Sequence, residues 1–238
     1  MMLGFDPLYL LFLAPALLLS LWASFRTKSA FGKYSKVRVS TGLTGAQAAK
    51  RMLDAAGIHD VQVVAHRGML TDHYNPVTKT LALSEEVYGV PSIAAVGVAC
   101  HEAGHAIQHA RGYKPLWLRS MLVPTASIGS SLGYIMMMIG LFMVYAQNAL
   151  GVKIVVVGAV LFSMVLLFQV VTLPVEFDAS ARAKRLAVEN GIVLPQEREG
   201  MDRVLNAAAL TYVAAAISTL MTLLYFLLRA GLLGGRRN

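Results

Sequence analysis

The sequence predicts a mainly α-helical membrane protein, built on about four transmembrane helices with one small α+β subdomain outside the bilayer. Three observations predict it. The 238 residues are 56% hydrophobic and 14% charged, with a mean hydropathy of +0.59, whereas about a quarter of the residues in a soluble domain are charged. The apolar residues are gathered into four long uncharged runs, and the charged residues into the intervals between them.

The first run, residues 7–25, is uncharged over 19 residues. The second, 121–147, is uncharged over 27, and the third and fourth, 154–175 and 207–228, over 22 each. Each can cross a hydrocarbon core of about 30 Å at 1.5 Å per residue. No Lys or Arg precedes the first run and no small-residue cleavage site follows it before Arg26, so it reads as a retained anchor. The expected division is an anchor at 1–25, a polar region at 26–120 and a transmembrane hairpin at 121–173. A second polar segment at 174–206 and a last span with a basic tail at 207–238 complete it. Residues 26–120 hold 12 of the 21 Lys and Arg, and residues 174–206 five more. Positive charge collects on the inner face, so both segments are expected in the cytoplasm, beneath a bacterial-type inner membrane. Arg229, Arg236 and Arg237 in the tail run against that rule. No basic patch interleaved with aromatics is present, so no nucleic-acid partner is expected. One cysteine, Cys100, excludes an intramolecular disulfide.

Within 26–120 the pattern predicts a helix over 44–56, capped by Thr44 and stopped by Gly57. A β-branched run follows at 61–65, then a turn-rich stretch (Thr71, Asp72, His73, Tyr74, Asn75, Pro76), then an alternating strand over 80–84. Ser92, after Pro91, can start a helix to about Ala110, with Gly112 and Pro115 ending it. That helix contains the most constraining stretch of the chain, His101-Glu102-Ala103-Gly104-His105. Residues four apart share a helix face, so His101 and His105 can offer two imidazoles to one metal ion. Zinc suits nitrogen ligands and keeps a position for water in catalytic sites. Glu102, turned about 100° from His101, can act as general base on that water. The bland alternative is a chance pentapeptide on an ordinary helix. A strand followed by a metal-bearing helix suits a zincin-like subdomain, in which the strand edge pairs with an extended polypeptide.

A third protein ligand has to come from elsewhere. A metzincin would need histidine and glycine where Arg111 and Gln108 stand, and one straight helix cannot wrap His109 around the same ion. The best candidate is Glu176, in the stretch 175–182 that opens an expected helix after the third span. Spans two and three form a hairpin, so Glu176 emerges on the same membrane face as the histidines, and a carboxylate there needs a partner. The alternative is an interfacial acidic cluster opposite Arg182 and Lys184. Asp178 is the fallback ligand, or an acceptor that fixes a histidine tautomer. An attacked amide also needs a donor for its oxyanion, and His73, Tyr74 and Arg182 are the candidates.

The stretches Asp72–Pro76 (DHYNP), Leu81–Tyr88 (LALSEEVY), His101–Ala110 (HEAGHAIQHA) and Pro174–Ala183 (PVEFDASARA) resemble those of the YugP-type membrane zinc metallopeptidases. More distantly the chain is similar to the gluzincin-like membrane proteases of the HtpX and CAAX-prenyl endopeptidase type. In those the third ligand is the glutamate of an ExxxD motif. Glu176 matches the glutamate, but Ser180 stands in place of the aspartate, so the support of the zinc histidines must be built differently. The resemblance implies a Zn2+ peptidase acting on polypeptide, with membrane or membrane-proximal proteins as expected substrates. Two other classes stay open. One is a zinc-binding but proteolytically silent membrane regulator. The other is a transporter or scaffold, against which stands the absence of Asp, Glu, Lys and Arg from all four runs.

Overall fold

Four helices are long and apolar enough to cross a membrane in the computed structural model, which describes residues 6–68 and 70–233. The first is α1 (Pro7–Tyr34). The second candidate joins α5 (Lys114–Ile128), one π-helical turn (Gly129–Gly133) and α6 (Tyr134–Tyr145). The third and fourth are α7 (Gly151–Glu189) and α8 (Arg198–Arg229). Between α1 and α5 lie α2 (Gly45–Ala55), β1 (Gln62–His66), β2 (His73–Asn75), β3 (Thr80–Ser84), α3 (Glu85–Tyr88) and α4 (Ile93–Ala110). The described residues cluster into two compact units. One takes residues up to Trp22, Leu118–Thr172 and residues from Tyr212; the other takes Ala23–Trp117 and Leu173–Thr211.

In the first unit, Met137, Val155, Phe162 and Phe226 form an apolar core, while Leu11, Phe142 and Val160 turn outward, each more than 60% exposed. Such a surface suits hydrocarbon rather than water. Glycines let α6 and α7 touch backbone to backbone: a Cβ on Gly140 would lie 2.6 Å from the Val155 nitrogen, and one on Gly158 2.7 Å from the Met137 nitrogen. Small residues at such crossings are the usual device of membrane helices. Arg229, one of the tail cations that run against the charge rule, is paired. Its Nε lies 2.9 Å from Asp6 Oδ2, which also accepts from the Tyr225 hydroxyl at 2.9 Å, and its guanidinium lies over the Tyr145 ring. Arg236 and Arg237 lie outside the described residues.

The second unit follows the expected local signals closely. Thr44 caps α2 and forms a reciprocal capping box with Gln47. Gly57 takes a left-handed φ of 75°, a conformation that costs glycine nothing. Ser92 caps α4 by accepting from the Ala95 N–H, and Gly112, with φ 62°, ends it. The sheet order is β1-β3-β2, with β1 parallel and β2 antiparallel to β3. Here the structure differs from the edge-strand expectation: Thr80–Ser84 is the central strand. Leu81, Ala82 and Leu83 are all buried, so both faces are apolar and neither edge is available. The helix bearing Glu176 differs too. It does not start at Val175 but continues the third span through Pro174 for 39 residues. Proline removes its own N–H and crowds the carbonyl four residues back, and membrane-spanning helices tolerate this where neighbouring groups satisfy the freed carbonyl. Around these elements Met52, Leu53, Leu83, Val87, Val96, Ile107 and Met201 form one core with α4 at its centre.

Candidate metal centre

α4 is buried along almost its whole length, from Ile93 to Gln108, because most of its side chains are alanine, glycine or valine. Gly104 permits the closest approach. A Cβ there would stand 2.7 Å from the Ala179 carbonyl oxygen of α7, so the backbones of the two helices are in contact at that level. From this contact the functional side chains converge. The rings of His101 and His105 stand edge to face with centroids 4.7 Å apart. Glu176 of α7 brings Oε2 to 3.2 Å from His101 Nε2 and 3.6 Å from His105 Nε2.

Two imidazole nitrogens and one carboxylate oxygen thus lie within 4.8 Å of one another. A tetrahedral zinc with ligands at 2.0–2.2 Å would space them about 3.4 Å apart, and the Glu176 oxygen already stands 3.2 and 3.6 Å from the two imidazole nitrogens. The donor set is the nitrogen and oxygen type that zinc accepts, so the residues fit a metal ion. His105 feels the cluster's charge. Burial opposes its protonation, but its contact with Glu176 and the negative charge of Glu102 outweigh that and raise its pKa above the ordinary value.

Each imidazole is held from behind. His101 Nδ1 lies 3.1 Å from Ser180 Oγ. His105 Nδ1 lies 3.0 Å from Gln108 Oε1. The Gln108 amide donates to the Val175 carbonyl and to Asp178 Oδ2, both at 2.8 Å. Asp178 in turn accepts from Arg182 Nε at 2.6 Å, and the Arg182 guanidinium lies over the Tyr113 ring.

The structure therefore brings together His101, His105 and Glu176, with Ser180 as immediate neighbour. Glu102 is 8% exposed, and its negative charge is among the causes that raise the His105 pKa. Asp178 does not reach the cluster directly but supports Gln108. Arg182, expected to be a donor toward the reacting centre, sits one helical turn from Asp178 and is engaged by it. His73 is exposed on β2; its Nδ1–H donates to the Thr71 carbonyl at 2.8 Å and its ring packs against His66. The Tyr74 hydroxyl meets His109 Nδ1 at 2.9 Å, tying β2 to α4. Sequence reasoning missed the role of Gln108. Its only signal was a buried polar residue three positions after His105, on a neighbouring face of the helix.

Residues 9–231 match the family described as "Putative neutral zinc metallopeptidase". The chain is 45% identical to "Putative membrane protease YugP" of Bacillus subtilis (strain 168) over 221 residues, 93% of this chain and 96% of that protein. No solved structure matches it.

Proposed function

Since the chain belongs to the neutral zinc metallopeptidase family, we propose that it is an integral membrane endopeptidase whose zinc is held by His101, His105 and Glu176. The observation that carries this reading is the meeting of two imidazole nitrogens from α4 and one carboxylate oxygen from α7 within 4.8 Å of one another, His105 and Glu176 buried and His101 partly so. Bound zinc would acidify a water and polarise the scissile carbonyl. Glu102 takes that water's proton and returns it to the leaving amine.

The zincin-like subdomain, formed by α2 to α4 with the sheet, faces the cytoplasm in this reading, which the clustering of Lys and Arg in 26–120 and 174–206 supports. Its substrates are extended segments of membrane or membrane-proximal proteins. Such a segment pairs with the outer edge of β2, the edge strand that Tyr74 ties to α4 through His109. Arg182 and His73 are the candidate donors to the oxyanion. Glu102→Gln tests the mechanism, because the base is not a ligand. That variant should retain one zinc per chain while hydrolysis falls 10²–10⁴-fold, whereas His105→Ala should lose both. Undiminished cleavage by Glu102→Gln, free of contaminating protease, would refute the assignment.

A further inference from the structure

Gln108 is fully buried, and its amide is satisfied at three positions: His105 Nδ1, the Val175 carbonyl and Asp178 Oδ2. A carbonyl oxygen can only accept a hydrogen bond. The Gln108 nitrogen must therefore face Val175, which leaves its oxygen facing His105. That oxygen also only accepts, so His105 Nδ1 must carry the proton. In a neutral imidazole Nε2 is then bare, and Nε2 is the atom turned toward Glu176. A backbone carbonyl on α7 thus dictates the tautomer of a ring on α4, through one amide.

We propose that Gln108 is a positioning residue that holds His105 in its metal-binding tautomer and braces α4 against the helix that carries Glu176. This rests on the zinc reading above. The residue type follows from polarity. The position needs an acceptor toward His105 and donors toward Val175 and Asp178, and a primary amide offers both at one branch point. A carboxylate there would set its lone pairs against those of Asp178 at hydrogen-bond distance. A methionine would fill the volume and leave His105 Nδ1 without its acceptor, which is costly, while Asp178 would keep Arg182. Asp178 supplies negative charge behind the imidazole only through the amide. The pair therefore does for His105 what a single carboxylate does behind many zinc-bound histidines. Arg182 and Tyr113 complete the brace by fixing Asp178.

The test uses the full-length protein in detergent, stripped of metal and titrated with zinc against a chelating indicator. Gln108→Met should raise the zinc dissociation constant 10–100-fold, with far-UV circular dichroism close to wild type and the metal-free Tm only a few degrees lower. In ¹⁵N-histidine-labelled wild-type protein, His105 should show a solvent-protected Nδ1–H, a readout that requires no variant to fold. Unchanged zinc affinity in Gln108→Met, or a wild-type His105 protonated at Nε2 alone, would overturn the inference and leave the zinc site standing. A wild-type protein that binds no zinc would overturn the underlying reading and the inference with it.

Discussion

Gly104→Ala is the sharpest test of how the centre is assembled, because it touches no proposed ligand. The added Cβ would meet the Ala179 oxygen at 2.7 Å and the Ala179 carbonyl carbon and Cα at 3.3 Å, all backbone atoms that cannot rotate aside. Ordinary contact begins near 3.4 Å, so α4 and α7 must part by about 0.7 Å, while ligand distances tolerate about 0.2 Å. Overpacking of this kind costs about 1–3 kcal/mol. Expressed wholly at the ligands, that weakens zinc binding about 5- to 150-fold. Alanine would otherwise favour the helix by about 1 kcal/mol, so helix stability and zinc affinity should move in opposite directions. The assay is zinc competition against a chelator, beside thermal unfolding with and without metal. Gly97→Ala is the control, because its Cβ meets only the flexible Met201 side chain at 3.3 Å and should leave zinc affinity unchanged. A Gly104→Ala protein with wild-type zinc affinity would refute the argument that backbone contact sets the ligand geometry.

Acid should release the metal early. The pKa of His105 is raised, so a proton competes with zinc from above pH about 6.5 downward, and zinc affinity measured from pH 8 to 6 should fall across that interval. In the metal-free protein the same shift stabilises the fold below about pH 6.5, and that contribution fades as pH rises through the raised value. Tm against pH should therefore slope in opposite senses with and without zinc, and parallel slopes would contradict this. Burial pushes the Cys100 thiol up to about 12, so a maleimide at pH 8 should label it only after unfolding; labelling of the native protein would show that α4 opens. In a Cys100→Ala background, cysteines at Lys50 and Arg198, both about half exposed, should resist an impermeant reagent in intact cells while one at Asn148 reacts. Opposite accessibility of the first two would break the proposed topology.

The elements most legible in the sequence were those written in local chemistry. Uncharged run lengths reveal four spans, Thr44 and Ser92 start their helices by capping, and the four-residue spacing aligns His101 with His105. Glu176 was legible for a different reason: a carboxylate at the end of an apolar run is costly unless a partner meets it. What the sequence left hidden depends on which helix faces meet. Gln108 and Asp178 are 70 residues apart, and nothing local pairs them. The strand over 80–84 was read as alternating because Thr80 and Ser84 flank it, yet its middle residues are buried on both faces. The helix expected to open at Val175 instead continues the third span through Pro174, because nothing local marks how far a span extends beyond the bilayer. The pairing of Arg182 with Asp178 one turn away was likewise not announced by its charge.

The Asp6–Arg229 pair has a consequence in time. Asp6 enters the membrane region with the first span, but Arg229 and Tyr225, which neutralise and hydrogen-bond it, are made only at the end of the last. At about 5–20 residues per second, the ribosome needs about 10–45 s to travel between them. During that interval the carboxylate must stay at the aqueous boundary, since an unpaired charge within the bilayer is expensive. The first helix can therefore insert early but cannot seat fully until the chain is nearly complete. A ribosome stalled before residue 225 should hold an assembly with a loose first span, and release should lock it in one late step.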